Sequence, residues 1–317
     1  MNLSIIIPNY NGEELLANNL PKVFEAVSLH KEGEVEVIVV DDYSTDNSLK
    51  AIQHAKVNSR NYKLKFKSIV NEKNLGFSST INKAVKVSVG EIIVLLNTDV
   101  VPERDFLNPL LKHFENKDVF AVGCMDKSTE NGVSILRGRG IGEWKRGFLI
   151  HSRGEINKGN TLWINGGSGA FRKSAWGKLG GLDELYNPFY WEDIDLSYRA
   201  LKSGYKIVFE PRSIVVHEHK KGAIKNTYSS SQVKTIAYRN QIIFVWKNIT
   251  DFPMKLSHLC WLPFHIFSTF LRGDITFIKG LLGAFILLPK IIEYSNREKR
   301  FFVLKDNQVL APFRGEK

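Results

Sequence analysis

The sequence predicts an α/β fold in which helices flank a mostly parallel sheet, with a helical extension at the C-terminus. Short runs rich in Val and Ile, as at residues 3–8 and 35–40, alternate with longer segments of helical periodicity. That alternation is the pattern of a buried parallel sheet. Polar residues also cluster where the apolar runs end, and the composition changes near residue 220. We therefore expect one main domain at residues 1–220 and the extension at residues 221–317.

The elements follow in order along the chain. Strands are expected at residues 3–8, 35–40, 64–70 and 91–96, and helices at residues 15–29, 48–56 and 77–87. Residues 125–165 are rich in Gly, Arg and polar residues, and their short strands have no clear register. A helix near residues 173–179, an acidic helix at 191–202 and a strand at 213–219 complete the main domain.

Charge and composition narrow the class of protein. The 317 residues carry a formal net charge of +11, which favours an anionic partner. Cys124 and Cys260 lie far apart and outside any zinc-finger spacing, so neither a disulfide framework nor a structural metal site is predicted. The N-terminus lacks a basic region, and its apolar run is too short for a signal peptide. We therefore expect a cytoplasmic protein.

Polar residues at the strand ends predict the site, because ligands of open α/β sheets bind outside the carboxyl ends of the strands. Four segments should share this rim, namely residues 9–11, 41–44, 71–76 and 97–99. Asp99 directly follows an apolar strand, where a hard divalent cation would find carboxylate oxygen. The alternative is that Asp99 only closes an Asx turn, with Pro102 as the first residue of a following helix.

The acidic helix at residues 191–202 offers a second group of candidates. Its apolar residues fall on one face, which leaves Glu192 and Asp193 near the helix start. A carboxylate there can accept the proton of an attacking hydroxyl. The alternative reading is that both acids complement the helix dipole, and that Asp195 with Arg199 forms a surface ion pair worth about 0.3 kcal/mol.

Two histidines, His217 and His219, end the strand predicted at residues 213–219. The two-residue period places both on one face of the strand. Imidazole is an acceptable ligand for a Mn²⁺-like ion beside a carboxylate and phosphate oxygens. The alternative is ordinary polar strand termination, and the spacing does not decide which histidine would be the ligand.

Eight segments of the chain, read in order, resemble family 2 glycosyltransferases. The first four are SIIIPNYNG at residues 4–12, VVDDYSTD at 39–46, NEKNLGF at 71–77 and LLNTD at 95–99. The later four are similar to the rhamnosyltransferase-type branch of that family, and they are GGSGAFR at 166–172, GGLDE at 180–184, WEDIDL at 191–196 and VVH at 215–217. The match covers about residues 3–220, and the shared order makes it specific.

The resemblance implies a GT-A fold, a nucleoside diphosphate sugar as donor, and a bound Mg²⁺ or Mn²⁺. The nucleotide-binding half would be about residues 1–100 and the acceptor half about residues 101–220. The nucleotide-sugar contacts it implies are Pro8, Tyr10, Asn11, Asp41, Asp42, Asn74, Gly76 and Asn97. Pro8 and Tyr10 would flank the nucleobase, and either Asp41 or Asp42 would act with Asn74 on base and ribose.

The resemblance also implies roles in metal binding and catalysis. Asp99 and His217 would hold the metal, Asp193 would be the general base, and Glu192 would help to orient the acceptor. One departure is Asn97, which replaces the first acid of the usual D-x-D motif. The rhamnosyltransferase-like branch tolerates this change, and the amide can still hydrogen-bond ribose.

The combined prediction is an inverting glycosyltransferase in bacterial cell-surface polysaccharide synthesis. Its donor would be dTDP-rhamnose or a UDP-sugar, and its acceptor a glycan or a polyprenyl-diphosphate-linked molecule. Two alternatives stay open: a metal-dependent nucleotidyltransferase on a similar α/β scaffold, and a non-enzymatic polyanion-binding protein. The basic residues are scattered without a nucleic-acid-binding motif, so no nucleic acid partner is expected. The oligomeric state stays open.

The extension contains two apolar stretches, at residues 259–271 and 280–292. Each is shorter than the ~20 residues that a membrane-spanning helix needs. Basic residues flank or interrupt them, namely Lys255, Arg272, Lys279 and Lys290. These features predict interfacial helices that hold the protein peripherally at the inner face of the cytoplasmic membrane. The alternative is a helical subdomain packed on the main domain, or a dimer interface.

Overall fold

The computed structural model describes residues 1–62, 64–130, 133–217 and 227–316. Its strands are β1 (Leu3–Asn9), β2 (Val35–Asp41), β3 (Lys65–Val70), β4 (Ile92–Leu96), β5 (Val100–Pro102), β6 (Val119–Glu130), β7 (Val133–Arg137), β8 (Gly140–Lys145), β9 (Phe148–Arg153), β10 (Ser168–Arg172) and β11 (Lys206–His217). Within the described residues, nine strands form one sheet of order β3-β2-β1-β4-β10-β6-β11-β5, with β7 paired to β6. Strands β8 and β9 form a separate hairpin.

Helices cover both faces of this sheet. They are α1 (Glu13–Ser28), α2 (Ser48–Asn58), α3 (Phe77–Val87), α4 (Leu107–Lys112), α5 (Lys173–Leu179), α6 (Glu192–Lys202), α7 (Ser230–Asn248), α8 (Phe252–Leu271), α9 (Thr276–Ile286), α10 (Leu288–Glu298) and α11 (Asp306–Leu310). Helices α7 to α11 belong to the predicted extension.

The first half of the sheet is parallel, as the sequence predicts. Strand β1 pairs in parallel with β2 and β4, and β2 pairs in parallel with β3. Ile5 and Ile6 are both fully buried, yet they belong to different apolar clusters on opposite faces of the sheet. Burial on both faces explains why these strands read as continuous apolar runs.

The segment after β4 differs from the expectation that Pro102 begins a helix. Pro102 ends strand β5 and does not begin a helix, because the next helix starts at Leu107. Strand β5 pairs antiparallel with the end of β11, so that Val100 lies opposite His217. Proline has no N–H to donate to a neighbouring strand, and an edge strand such as β5 tolerates that loss. The pairing brings the Asp99 region beside the histidine.

The predicted surface pair of Asp195 and Arg199 is instead buried. Arg199 Nη2 lies 2.7 Å from Asp195 Oδ2, and Lys247 Nζ lies 2.8 Å from Asp195 Oδ1. Asp183 and Glu298 also pair with Lys247. Burial alone would raise the pKa of Asp195, but Arg199 and Lys247 lower it to about 2. The surface expectation is wrong because α7 and α10 cover this face of α6, which helical spacing does not reveal.

The extension packs closely on the main domain through α7. One apolar cluster joins Trp191 and Tyr198 to Ile242 and Phe244 of α7. The predicted boundary at residue 220 and the second histidine, His219, both lie outside the described residues. The domain division therefore stays a prediction.

Helices α8 and α9 keep apolar side chains on their outer surface. The exposed ones include Phe252, Leu259, Phe264, Phe267, Phe270, Leu271, Leu282, Phe285 and Ile286. Among the described residues, none of the helices has the length and apolarity to cross a bilayer.

Candidate active site

A cavity of about 790 Å³ opens at the carboxyl ends of β1, β2 and β4. Most of the side chains predicted for the site line it, namely Pro8, Tyr10, Asn11, Asp42, Asn74, Gly76, Asn97, Asp99, Glu192, Asp193 and His217. The segments predicted to bind the nucleotide and the start of the acidic helix therefore line one cavity, although at least 95 residues separate them in the sequence. Asp41 is the one predicted residue that does not line the cavity.

Asp41 is fully buried behind the wall and braces the loop after β2. Its carboxylate accepts hydrogen bonds from Asn9 Nδ2 (2.7 Å), from the Ser44 N–H (2.9 Å) and from the Ser44 hydroxyl (2.6 Å). Of the two adjacent aspartates, only Asp42 reaches the cavity. We infer that Asp41 affects the cavity only indirectly, by holding the conformation of the loop after β2.

Asp42 organises the loop at residues 71–76. Its carboxylate accepts hydrogen bonds from the Leu75 N–H (2.8 Å), the Gly76 N–H (2.9 Å) and Asn71 Nδ2 (2.8 Å). Gly76 has a φ of +84°, and a Cβ there would lie 2.8 Å from Asn187 Oδ1. The loop therefore needs glycine at this point, both for its left-handed conformation and for its close approach to the other half of the site.

Asn97 has an amide oxygen that lacks a partner within the described residues. Its Oδ1 is buried without a hydrogen bond, while its backbone N–H donates to the Gly167 carbonyl at 2.9 Å. A buried polar atom without a partner is costly and is uncommon in folded proteins. Because Asn97 lines the cavity, a ligand hydroxyl could satisfy this oxygen.

Asp99 and His217 form a close pair at the cavity wall. His217 Nε2 lies 3.2 Å from Asp99 Oδ2, and its Nδ1 lies 3.0 Å from Asp126 Oδ2. Burial lowers the pKa of His217, but the hydrogen bonds with Asp126 and Asp99 outweigh that effect and raise it to about 9. The imidazole is thus oriented by one carboxylate and faces the other.

This pair fits a divalent cation that also binds phosphate. Asp99 Oδ2 and His217 Nε2, 3.2 Å apart, would supply a carboxylate oxygen and an imidazole nitrogen to such a cation. The described residues contain no group of three or more His, Cys, Asp or Glu side chains able to hold a metal ion. A cation here would therefore need ligands from the substrate, as Mg²⁺ sites with one or two carboxylates commonly have.

Glu192 and Asp193 begin α6 and line the same cavity. Asp193 Oδ1 accepts a hydrogen bond from the Ile194 N–H (2.8 Å), and the Gly166 N–H donates to its Oδ2 at 3.4 Å. Burial raises the pKa of Asp193, and burial together with repulsion from Asp193 raises that of Glu192 well above its usual range. Such shifts bring carboxyl groups closer to the range useful for general acid–base chemistry.

A side chain of the extension fixes the loop that precedes Glu192 and Asp193. Tyr190 and Trp191 have φ values of 72° and 77°, which are uncommon for aromatic residues. The fully buried Asn240 of α7 donates through Nδ2 to the carbonyls of Tyr186 (2.8 Å), Phe189 (2.9 Å) and Tyr190 (2.9 Å). One amide group therefore fixes the loop that leads into Glu192 and Asp193.

Sequence reasoning missed Asp126 and Asn240. Asp126 follows the apolar part of β6, so the strand-end criterion that selected Asp99 would also have found it. Asn240 lies inside a helix of mixed composition, and no local pattern distinguishes it. The aromatic residues of the acceptor side, including Phe189 and Tyr228, were also missed, because they come together only in the folded chain.

Comparison with protein families defines the class of protein. The family model described as glycosyl transferase family 2 matches residues 4–179. The chain belongs to glycosyl transferase family 2, as its motifs predicted. It is 25% identical over 212 residues to a poly-beta-1,6-N-acetyl-D-glucosamine synthase of Staphylococcus epidermidis, a match covering 67% of this chain and 48% of that protein. The chain thus spans about half the length of this relative.

A second relative is closer in size. An N-acetylglucosaminyl-diphospho-decaprenol L-rhamnosyltransferase of Mycobacterium tuberculosis is 25% identical over 229 residues, covering 63% of this chain and 71% of that protein. It supports the expected similarity to the rhamnosyltransferase-type branch.

Solved structures confirm the GT-A fold. Residues 1–349 of S. aureus TarS in complex with UDP-GlcNAc match with a TM-score of 0.59 and 18% identity, over 99% of this chain and 92% of that one. The mannosyltransferase PcManGT from Pyrobaculum calidifontis, in complex with GDP-Man and Mn²⁺, matches with a TM-score of 0.55 and 16% identity, over 98% and 86%. Similar folds have thus been solved with nucleotide sugars, one of them with Mn²⁺.

Proposed function

We propose that the chain is an inverting glycosyltransferase. It moves a sugar from a nucleoside diphosphate sugar to a hydroxyl of a glycan or lipid-linked acceptor in bacterial cell-surface polysaccharide synthesis. The observation that carries the proposal is that Asp99 with His217, and Glu192 with Asp193, line the same cavity. Leaving-group stabilisation and proton removal can therefore act on one bound sugar from its two sides.

The donor side would hold the nucleotide. Pro8 and Tyr10 flank the base, and the loop organised by Asp42 presents Asn74 and Gly76 to base and ribose. Asn97 Oδ1, which has no hydrogen-bond partner among the described residues, would accept a hydrogen bond from a ribose hydroxyl. The donor sugar and nucleobase are open between dTDP-rhamnose and a UDP-sugar.

Asp99 and His217 would hold Mg²⁺ or Mn²⁺ beside the diphosphate. A bound divalent cation stabilises the negative charge that develops on a leaving diphosphate. Asp126 contributes by fixing the ring of His217 through Nδ1 and so directing Nε2 to the site. The chain itself thus provides two ligands and their orientation.

Asp193 is the proposed base. It takes the proton of the acceptor hydroxyl, and Glu192 beside it helps to orient that acceptor. Because the hydroxyl attacks from the face opposite the leaving diphosphate, a single displacement inverts the anomeric centre. Membership of glycosyl transferase family 2 favours this reading over nucleotidyl transfer or non-enzymatic polyanion binding.

Calorimetric titration with UDP, dTDP and GDP, each with and without Mn²⁺, tests the proposal. We expect one nucleotide to bind most tightly and to need the metal for that affinity, because a bound cation would link Asp99 and His217 to the diphosphate. In Asp99→Asn, Mn²⁺ should no longer increase the nucleotide affinity. In the control Asp105→Asn, at an exposed site, Mn²⁺ should increase it as in the wild-type protein. Failure of all three nucleotides to bind wild-type protein would instead favour the non-enzymatic alternative.

We also propose that the protein works peripherally at the inner face of the cytoplasmic membrane. Phe267 and Phe270 on α8 are 63% and 66% exposed, although both are large and apolar. Exposed basic side chains lie along the same helices, namely Lys255, Arg272 and Lys279. An apolar surface with cationic neighbours suits the headgroup region of an anionic bilayer.

Flotation with lipid vesicles checks this membrane proposal. We expect the protein to float with vesicles that contain phosphatidylglycerol, and to float less with pure phosphatidylcholine vesicles or at high salt. The double variant Phe267→Glu/Phe270→Glu should remain in the bottom fraction with unbound protein, because each change places a charge in the apolar surface. Val57→Glu, at an exposed site on α2, is the control and should still float. Equal flotation of both variants would contradict the proposal.

A further inference from the structure

The acceptor side of the cavity carries an aromatic wall formed by Phe189, Tyr190 and Tyr228. The ring centroids of Phe189 and Tyr190 are 4.8 Å apart, and those of Phe189 and Tyr228 are 5.0 Å apart, both in edge-to-face geometry. All three residues line the cavity. The main domain contributes two of these rings and the extension contributes the third.

Packing alone does not explain the conformation of Tyr190. The residue is 43% exposed and has a φ of 72°, a region that is strained for a bulky residue. The three hydrogen bonds from Asn240 hold the backbone on both sides of it. These hydrogen bonds hold the Tyr190 ring at the cavity surface, where a bound ligand can contact it.

The charge around the aromatic wall indicates a neutral ligand. Within the described residues, no Lys or Arg side chain lines the cavity. Asp193, the proposed base, also lines the cavity and as a carboxylate would repel an anion. The His151 ring, which also lines the cavity, lies 5.2 Å from both the Trp163 and the Trp191 ring, and burial lowers its pKa, which favours the neutral form.

We propose that the aromatic wall stacks against a neutral pyranose ring of the acceptor and places its hydroxyl near Asp193. Sugar rings combine apolar C–H faces with hydroxyl edges, which suits aromatic rings interspersed with uncharged polar groups. The charged or lipid part of an acceptor would then lie outside the cavity. This inference rests on the proposed function, and it assigns the extension a part in acceptor choice through Tyr228.

Saturation-transfer NMR tests the inference on the full chain with Mg²⁺ and the nucleotide selected by calorimetry. The probes are methyl glycosides of glucose, N-acetylglucosamine, galactose and rhamnose, with farnesol as a lipid competitor. We expect ring-proton signals from at least one glycoside and no competition by farnesol. Tyr190→Ala and Tyr228→Ala should each weaken glycoside binding about 3- to 10-fold, the range that a lost aromatic contact gives.

Conservative variants and a control separate stacking from loss of structure. Tyr190→Phe and Tyr228→Phe should bind the glycoside nearly as well as wild-type protein, and Tyr294→Ala, outside the cavity lining, should not change binding. Nucleotide affinity should stay unchanged in every variant. The inference is overturned if no glycoside binds wild-type protein, if both alanine variants bind like wild type, or if farnesol displaces the sugar. Loss of nucleotide binding in wild-type protein would instead contradict the proposed function.

Discussion

Asp193→Asn should lower the rate of sugar transfer about 10²- to 10⁴-fold, the usual contribution of a positioned general base. The amide is nearly isosteric, and its oxygen can still accept the hydrogen bond from the Ile194 N–H, so α6 should begin as before. It cannot take a proton from the acceptor hydroxyl at neutral pH. The assay is release of the nucleoside diphosphate in the presence of acceptor, with nucleotide affinity measured on the same sample.

A control and a pH profile sharpen this prediction. Asp105→Asn, at an exposed site, should transfer at the wild-type rate. Burial raises the pKa of Asp193, so wild-type activity should fall as the pH drops through that raised value and the base becomes protonated. The residual activity of Asp193→Asn should lack this acidic limb. Near wild-type turnover in the variant would remove Asp193 from the mechanism.

Lys247→Met should lower the free energy of unfolding by about 3–5 kcal/mol, the usual cost of removing one partner from a buried ion pair. Lys247 is fully buried, pairs with Asp183, and lies 2.8 Å from Asp195 and 3.2 Å from Glu298. Its loss leaves carboxylates in the interior without their cation. Urea denaturation followed by circular dichroism measures the change.

The same substitution at the surface provides the matched control. Lys234 pairs with Asp274, but its side chain is 49% exposed, so Lys234→Met should lower the free energy of unfolding far less than Lys247→Met does. The double variant Asp183→Asn/Lys247→Met should be less destabilised than the sum of its single changes, because the two side chains interact. Equal effects of the Lys247 and Lys234 changes would contradict the burial of this network.

Much of the fold follows from local patterns. Continuous Val and Ile runs predicted β1, β2 and β4, and helical periodicity placed α3 at the bounds that the structure gives. Strand-end polarity selected Asp42, Asn97 and Asp99, because parallel strands bring their carboxyl ends to one edge. These features depend on neighbours in the sequence or on a general rule of sheet topology.

Other features depend on contacts between distant segments. The antiparallel pairing of β5 with β11 sets His217 beside Asp99, and Asp126 on β6 orients the ring. Neither the spacing of the histidines nor the composition of residues 125–165 predicts that arrangement. Asn240 likewise gains its role only because α7 lies against the loop before α6.

Periodicity and motif order were sufficient for the parallel sheet, the family and the rim of polar strand ends, since each reflects repeated local constraints on the chain. The burial of the Asp195 and Arg199 pair, the orientation of His217 and the aromatic wall arise from packing. Helical spacing shows that two side chains are neighbours, but the segments that later cover them decide whether water reaches them. That dependence on burial is why the environment of the acids at α6, and with it their pKa, required the folded structure.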